Sequence, residues 1–358
     1  MDDNSTIAFN QTDVAIIPYV YFSVPYKVLG TISLVIILSV GFIGNALVLP
    51  VIIFSPGMHT PTNCYLASLS ASDLLVLLST TTLMLKELYS PYGLWDLGTL
   101  TCRLSVCVQY LTVAVSALCI CAFSVERWVG ICFPIKAHYM CTVSRALRII
   151  AGIWVFATLY NIPWMFIATT QVRQSTKGPF EVCTFKYKRS SYKTVYILDF
   201  ILYYAIPLFI TSILYAHISW NLFRISSKNN ALPQAAGPVE YNSNTIMSPL
   251  SQQQIQMFRA RNRTRSRKQV VKLLMAVVLL FASCWLPYRF VVVFNSFSEQ
   301  GYHDLWFRMF ARLMAFLNSA ANPLVYNIMS RKFRRAFRRL LRCSRFRLQA
   351  LRRGTHQE

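Results

Sequence analysis

Long apolar runs separated by short polar segments dominate the chain. A helix that crosses a membrane needs roughly 20 mostly apolar residues. Windows 28–54, 104–125 and 149–172 meet this length without any Asp, Glu, Lys or Arg. Four further windows carry one such residue each, and they are 63–85, 195–223, 273–297 and 309–330. The pattern predicts an all-α membrane protein, a seven-transmembrane helix bundle spanning 28–330.

Basic residues set the predicted orientation, because cytoplasmic loops carry an excess of Lys and Arg. If the N-terminus is outside, the cytoplasmic segments 126–148, 224–272 and 331–358 hold 24 of the 36 Lys and Arg residues. The stretch 1–26 has none, so it lacks the basic region that begins a cleaved signal peptide. We expect a multi-pass plasma-membrane protein with an extracellular N-terminal segment, 1–27, glycosylated at the sequons of Asn4 and Asn10.

Composition supports the same class of protein. With 55% hydrophobic and 14% charged residues, the chain is too apolar for a disordered protein and too poor in charge for a typical soluble domain. The net charge of +23 lies mostly on the predicted cytoplasmic side. Anionic inner-leaflet lipids attract such a surface, so the charge indicates membrane lipids as partners rather than nucleic acid.

The predicted cytoplasmic side ends in a short basic segment. Phe333, Phe337 and Leu340 share one face of an otherwise basic stretch, which predicts an amphipathic eighth helix over 331–343. Cys343 ends it, where a palmitoyl chain would add an anchor; an unmodified thiol is the alternative. The short tail 344–358 contains only two residues that can be phosphorylated, so we expect it to recruit arrestin weakly.

Two other features of the predicted loops are informative. The loop 226–266 is rich in Asn, Ser, Gln and Pro, which is typical of a flexible linker. Of the ten cysteines, only Cys102 and Cys183 fall in the oxidising compartment. We expect a disulfide between them that holds the loop after the fourth span across the helix ends.

Several polar residues lie deep within the apolar windows, where an ionisable group is costly unless it has partners. If the helices converge, carboxylate, hydroxyl and amide groups would form an oxygen-rich cluster suited to a monovalent cation or to waters. The alternative is a purely structural polar network. No other cofactor or metal is expected. The cluster comprises Asp73, Ser116, Asn318, Ser319 and Asn322.

Backbone breaks and a charged pair mark possible moving parts. Pro207, Pro287 and Pro323 lie in the last three spans, where proline removes a backbone hydrogen bond and kinks the helix. Glu126 and Arg127 are adjacent at the cytoplasmic end of the third span. An ordinary interfacial arginine would fit this position equally well.

One motif in each predicted helix, in order, resembles the rhodopsin-like (class A) G-protein-coupled receptors. The motifs are Gly44-Asn45, Asp73, Glu126-Arg127-Trp128, Trp154, Pro207 with Tyr215, Phe281 to Pro287, and Asn322 to Tyr326. The resemblance implies a receptor and not an enzyme. It also implies that these residues switch conformation on activation: Glu126, Arg127, Tyr215, Phe281, Trp285, Pro287, Pro323 and Tyr326.

Within that family the chain is most similar to thyrotropin-releasing-hormone receptors. The matching runs include Thr60 to Leu66, Pro134 to Ala137, Trp285 to Arg289 and Phe316 to Ala320. This resemblance implies a short amidated peptide ligand and coupling to a heterotrimeric G protein of the Gq class, with calcium release. A different peptide ligand, or an orphan receptor with other coupling, is the alternative.

The resemblance also implies a ligand site, formed by Tyr110, Tyr288 and Arg312, with Arg289 next to Tyr288. Arg312 suits the role, because its donors can hold carbonyl oxygens. A salt bridge from Arg312 to Asp199 or to an outer-loop acid is the alternative for this residue. Ordinary helix packing with an interfacial hydroxyl is the alternative for each tyrosine. Ala114 departs from the family, in which an asparagine binds the pyroglutamyl ring of the hormone, so the ligand affinity is in question.

Other seven-helix functions fit the sequence poorly. A retinal protein would need a lysine in the seventh span, and 309–330 contains none. A transporter would show paired halves or matching broken helices, and neither is found. A membrane hydrolase would need clustered His, Asp and Glu residues, but His217 is the only histidine within the spans.

Overall fold

A computed structural model describes residues 19–187, 189–230, 249–298, 301–302, 304–329 and 333–339. The predicted glycosylation sites Asn4 and Asn10, the predicted palmitoylation site Cys343 and the tail 344–358 lie outside the described residues. What the sequence predicts about them stays a prediction.

The described chain is a bundle of long helices with one small hairpin. The helices are α1 (Val24–Phe54), α2 (Pro61–Val76), α3 (Thr82–Tyr89), α4 (Gly98–Cys132), α5 (Pro134–Met140), α6 (Val143–Ile167), α7 (Lys193–Phe200), α8 (Ile206–Asn230), α9 (Pro249–Phe297) and α10 (Leu305–Met329). Strands β1 (Ala168–Ser175) and β2 (Gly178–Phe185) follow α6. Residues 333–339 are also helical.

These helices make seven spans. Helices α2 and α3 form the second span and α7 and α8 the fifth, each pair being continuous through a short π-helical segment. Among the described residues, six spans are long and apolar enough to cross a membrane. The seventh, α10, has 25 residues, but two arginines and three asparagines lower its mean hydropathy. The predicted all-α, seven-helix fold is confirmed.

The π segments, Leu77–Thr81 and Ile201–Ala205, are not evident from the sequence. A π segment adds one residue to a helix and so rotates everything after it by about 100°. In the second span this rotation decides which side chains of α3 face the bundle. In the fifth span, Pro207 follows directly and cannot donate a backbone hydrogen bond, which favours the looser turn.

The fourth span is shorter than the predicted window 149–172, because a β-hairpin begins within that window. Helix α6 ends at Ile167, and 168–172 belong to β1, which pairs antiparallel with β2 from Ala168 opposite Phe185 to Ser175 opposite Gly178. The stretch 168–172 has no charged residue, so the sequence predicts it as part of the apolar window, but its two threonines and its valine favour a strand.

Several predicted boundaries also move. The predicted flexible loop 226–266 is helical at both ends, because α8 continues to Asn230 and α9 begins at Pro249; 231–248 lie outside the described residues. The Gln and Arg residues after Pro249 are good helix formers, which explains the extension. Helix α1 starts at Val24, with a proline in its first turn, so it overlaps the predicted N-terminal segment 1–27.

The helical stretch 333–339 is amphipathic, as the sequence predicts. Phe333 and Ala336 are buried and Phe337 is half-buried, while Arg335 and Arg338 are exposed. The Phe333 and Tyr326 rings lie 6.4 Å apart, edge to face. This stretch therefore packs on the inner end of the seventh span. The rest of the predicted helix 331–343 lies outside the described residues.

Two glycines let α1 approach α10 closely. A Cβ at Gly44 would lie 2.9 Å from the Pro323 Cβ, and a Cβ at Gly41 would lie 3.0 Å from the Ala320 Cβ. Asn45 uses this proximity, because its amide nitrogen donates to the Ser319 carbonyl of α10 at 3.0 Å. The contact holds the part of α10 before Pro323 against the first span.

We therefore expect Gly44→Leu to destabilise the bundle by about 1–3 kcal/mol, because a side chain there must push α1 away from Pro323. Gly152→Leu is the matched control, since Gly152 is exposed on α6 and a Cβ there meets nothing within 4 Å. Thermal unfolding of the two purified variants, with surface display in cells, tests this. Equal stability of the two variants would show that the close contact between α1 and α10 at Gly44 does not stabilise the bundle.

Candidate functional site

A cavity of about 310 Å³ opens at the outer end of the bundle, between spans two, three, six and seven. Ligand pockets in proteins are commonly about 300–1,000 Å³, so this cavity has room for a small ligand. It is lined by Val76, Thr80, Leu83, Met84, Lys86, Glu87, Gly93, Leu94, Trp95, Ser105, Gln109, Cys183, Trp285, Tyr288, Arg312, Ala315 and Phe316.

Arg312 lies in the cavity wall, as predicted, and is paired. Its Nη1 donates to the Glu87 Oε2 at 2.7 Å, and both side chains remain 34% exposed. The partner lies beyond the predicted window 63–85, so the alternative expectation of a salt bridge to an outer-loop acid is confirmed, although the structure places this acid on α3. Asp199 is not the partner. Both charges are in the lining, so a ligand in the cavity would meet the pair.

Tyr288 lines the same cavity. Its hydroxyl accepts a hydrogen bond from the Gln109 Nε2 at 3.2 Å, and its ring meets the Trp285 ring edge to face at 5.9 Å. Trp285 is itself in the lining, and its ring lies 6.4 Å from that of Phe281, which is buried. An aromatic path therefore runs from the cavity into the core of the sixth span.

The two remaining predicted positions on the third span are placed differently. Tyr110 stacks on Trp164, with ring centroids 4.3 Å apart and planes within 5°, and it does not line the 310 Å³ cavity. Ala114 is fully buried and has no polar side-chain atom. The structure therefore brings Tyr288 and Arg312 together in one cavity, but not Tyr110 or Ala114.

Arg289 is more deeply placed than its neighbour Tyr288. Its side chain is 5% exposed, and its guanidinium carbon lies 5.8 Å from the centre of the Trp285 ring. Its Nε has no hydrogen-bond partner. Asp199 is also buried, and its Oδ1 accepts from the Tyr160 hydroxyl at 3.0 Å. Arg289 thus lies behind the cavity wall, outside the lining residues.

The hairpin is fixed over this end of the bundle, and the predicted disulfide between Cys102 and Cys183 is present. It joins β2 to the start of α4, with Cα atoms 5.6 Å apart. Arg103 Nε also donates to the Ala168 carbonyl at 3.2 Å, and the Thr99 and Thr170 hydroxyls lie 2.6 Å apart. Cys183 lines the cavity, so the bridge holds part of the wall in place.

A polar cluster lies deeper, around Asp73, which is 1% exposed. The Asn322 Nδ2 donates to the Asp73 Oδ2 at 2.9 Å, and the Ser319 hydroxyl also bonds to this carboxylate. Asn318, which precedes Ser319 on α10, is also buried. Ser116 instead pairs with Ser72, their hydroxyls being 3.1 Å apart. Four of the five predicted residues are thus buried on spans two and seven, and Ser116 extends the cluster to span three.

Three buried oxygen atoms in and beside this cluster have no hydrogen-bond partner. They are Asn322 Oδ1, Asn45 Oδ1 and the Tyr326 hydroxyl. Buried polar groups are normally satisfied, so these oxygens, with the Asp73 carboxylate, fit a hard monovalent cation or ordered waters. Within the described part of the chain, no group of three or more His, Cys, Asp and Glu side chains suits another metal.

At the end of the bundle that is predicted to be cytoplasmic, polar contacts form within span three and between spans three and five. Arg127 Nη2 donates to Glu126 Oε1 at 2.6 Å, so the predicted pair forms. The Tyr215 and Ser124 hydroxyls lie 3.0 Å apart. Trp128 Nε1 donates to a ring nitrogen of His217 at 2.7 Å.

The family can be named from the sequence comparison. Residues 44–326 match the family described as 7 transmembrane receptor (rhodopsin family). The chain belongs to this family. The resemblance that the motifs indicate is therefore confirmed, and the receptor is a multi-pass membrane protein and not an enzyme.

Relatives of the receptor cover nearly its whole length. The thyrotropin-releasing hormone receptor of Mus musculus is 36% identical over 348 residues, covering 96% of this chain and 86% of the relative. That of Homo sapiens is 37% identical over 349 residues, covering 96% and 85%. The neuromedin-U receptor 1 of Rattus norvegicus is 33% identical over 319 residues, covering 87% and 72%.

Sequence reasoning missed four residues of the receptor that the structure singles out: Glu87, Gln109, Ser124 and His217. Glu87 could have been found, because it is an acid at the end of span two and Arg312 is the lone charge of window 309–330. The other three have uncharged or common side chains within helices. Only the packing of the helices shows that they bond Tyr288, Tyr215 and Trp128.

Proposed function

We propose that this receptor is activated by a short amidated peptide resembling thyrotropin-releasing hormone, and that it signals through a G protein of the Gq class. The observation that carries the proposal is the outer cavity, in which Arg312 and Tyr288 face the same space. The names of its relatives support a peptide hormone as the ligand. The charge distribution supports an extracellular N-terminus.

The chemistry of the cavity fits an uncharged, oxygen-rich peptide. Arg312 keeps donors beyond the one given to Glu87, Gln109 and Tyr288 offer an amide and a hydroxyl, and Trp285 supplies an aromatic wall. Amide oxygens of a short blocked peptide can accept from these donors. The volume of about 310 Å³ suits a ligand of a few residues rather than a folded hormone.

Ala114 limits how closely the ligand copies the hormone. A buried alanine cannot hydrogen-bond a ligand ring amide, and an unpaired amide costs about 1–3 kcal/mol. A second candidate, a different amidated peptide on the same scaffold, is favoured by this position. Another G-protein class remains the alternative for coupling.

Activation follows from a ligand that binds one helix arrangement better than the other, since only differential affinity shifts the equilibrium. Contacts at Tyr288 would act on Trp285, and through it on Phe281, near the kink at Pro287. Outward movement of α9 would open space beside α4 and α8 at the predicted cytoplasmic end, where Arg127 and Tyr215 lie. Pro323 and Tyr326 provide the matching kink and phenol on α10.

We expect the calcium response to an amidated peptide to be weakened about 30- to 100-fold by Arg312→Ala, since a hydrogen bond to a charged group is worth roughly 2–3 kcal/mol. Arg308→Ala is the matched control, because Arg308 is one turn earlier on α10, bonds Tyr92 and does not line the cavity. The assay titrates thyrotropin-releasing hormone and a panel of other short amidated peptides.

Silence of the surface-displayed receptor to every amidated peptide would overturn the proposed ligand class. An unaltered response in Arg312→Ala would overturn the proposed site. A response to another amidated peptide but not to the hormone would favour the second candidate, a different amidated peptide on the same scaffold.

The polar cluster leads to a second proposal, that Asp73 binds a sodium ion allosterically. Such a site would include the Asp73 carboxylate and the unpaired oxygens of Asn322 and Asn45. The ion would stabilise the inward arrangement of spans two and seven. Membrane lipids at the basic cytoplasmic surface, and weak recruitment of arrestin by the tail, stay predictions.

We expect NaCl to lower agonist affinity relative to N-methyl-glucamine chloride at the same ionic strength, and Asp73→Asn to abolish this difference. Removing the carboxylate takes away the charge that holds the ion. Asp96→Asn, outside the membrane, is the control that should keep the sodium effect. Equal affinity in both salts would assign the cluster to waters or to structure alone.

A further inference from the structure

The ion pair between Glu87 and Arg312 alters what Arg312 can bind. An isolated guanidinium in a partly dry cavity attracts carboxylates strongly. Here a carboxylate of the receptor already occupies Nη1, at 2.7 Å. We propose that Glu87 is a specificity residue, which makes this end of the cavity accept an uncharged carbonyl or carboxamide group and reject a carboxylate. This inference rests on the proposed function, because it concerns the ligand of the same cavity.

The geometry lets Arg312 bind Glu87 and a ligand oxygen at the same time. Glu87 contacts one terminal nitrogen of the guanidinium, and no other acceptor bonds the side chain among the described residues. Both side chains are about one-third exposed, and both line the cavity. A ligand oxygen can therefore approach the remaining N–H donors without displacing Glu87.

The other charge in the cavity lining is also compensated. Lys86 donates to the Asp96 carboxylate, and this hydrogen bond lowers the pKa of the Asp96 carboxyl group, so Asp96 is ionised at neutral pH. Asp96 lies outside the lining. Each cation that lines the cavity thus already has its own carboxylate, and the wall presents donors without excess positive charge.

A ligand carboxylate would gain little binding free energy at the Glu87–Arg312 pair. It would approach a guanidinium whose charge is already balanced, and it would lie beside the Glu87 carboxylate on the same group. Juxtaposed like charges are a common means of rejecting a wrong partner. A carboxamide oxygen accepts the same hydrogen bonds without that repulsion. The receptor would therefore discriminate between the amidated and the free-acid form of one peptide.

The experiment measures the ratio of the half-maximal concentrations of free acid and amide for calcium release. The probes are thyrotropin-releasing hormone and its C-terminal free acid, or the amide and free acid of the most potent panel peptide where the hormone is silent. They are applied to the unmodified receptor, Glu87→Gln, Glu87→Ala, Glu87→Asp and Glu181→Gln. Because the ratio is taken within one variant, differences in surface expression cancel. Glu181→Gln is the matched control, since it makes the same change at an exposed carboxylate on β2 that does not line the cavity, and it leaves the pairs of Arg312 and Lys86 intact.

We expect the preference for the amide to narrow about tenfold in both Glu87 variants, a change of about 1.4 kcal/mol. We expect Glu181→Gln, and the charge-conserving Glu87→Asp, to keep the ratio within about threefold of the unmodified receptor. A ratio unchanged by both Glu87→Gln and Glu87→Ala would overturn the inference. Equal narrowing in Glu181→Gln would also overturn it, because the general electrostatic field of the outer surface would then be the cause.

The outcomes for the two proposals are separate. The response of the unmodified receptor to the amide tests the proposed function, without reference to Glu87. The change of ratio tests Glu87, whichever absolute potency the amide shows. A potent amide with an unchanged ratio in the Glu87 variants would leave the proposed function standing and remove this inference alone.

Discussion

A charge inside the apolar part of a membrane must find its partners within the protein, and this constraint shapes the receptor from end to end. Arg312 pairs with Glu87, and Asp73 accepts from Asn322. Each pair joins span two to span seven. The helices that would otherwise be held only by packing are thus tied by polar contacts at two depths, and both depths are candidate binding sites.

The local backbone decides whether those partners meet. The π segment Leu77–Thr81 rotates the outer part of span two, and Glu87 follows it on α3. Gly44 lets α1 lie against Pro323, and this contact supports span seven below Arg312. The bridge to Cys183 holds the hairpin over the opening. Local features of the helices, such as the π segment and the close contact at Gly44, therefore determine where the residues of the cavity lie.

Apolar length and charge bias were enough to predict the seven spans, and the compartment of each cysteine was enough to predict the disulfide. The hairpin was missed because its uncharged strand continues the apolar window of α6. A salt bridge from Arg312 to an outer-loop acid was among the expectations, but Glu87 was not singled out, because it lies 225 positions from Arg312 in the chain. Tyr110 stays a predicted ligand residue, and only the structure shows that its ring stacks on Trp164.

Glu87 and Arg312 act as one unit when the receptor distinguishes an amide from a free acid. A double-mutant cycle measures this, with the preference for the amidated peptide over its free acid determined for the unmodified receptor, Glu87→Gln, Arg312→Gln and the double variant. If Glu87 acts only through Arg312, Glu87→Gln narrows the preference where Arg312 is present and leaves it unchanged where Arg312 is replaced, giving a coupling of about 0.5–3 kcal/mol. Effects on the preference that simply add would show that the two side chains act independently, against this interpretation.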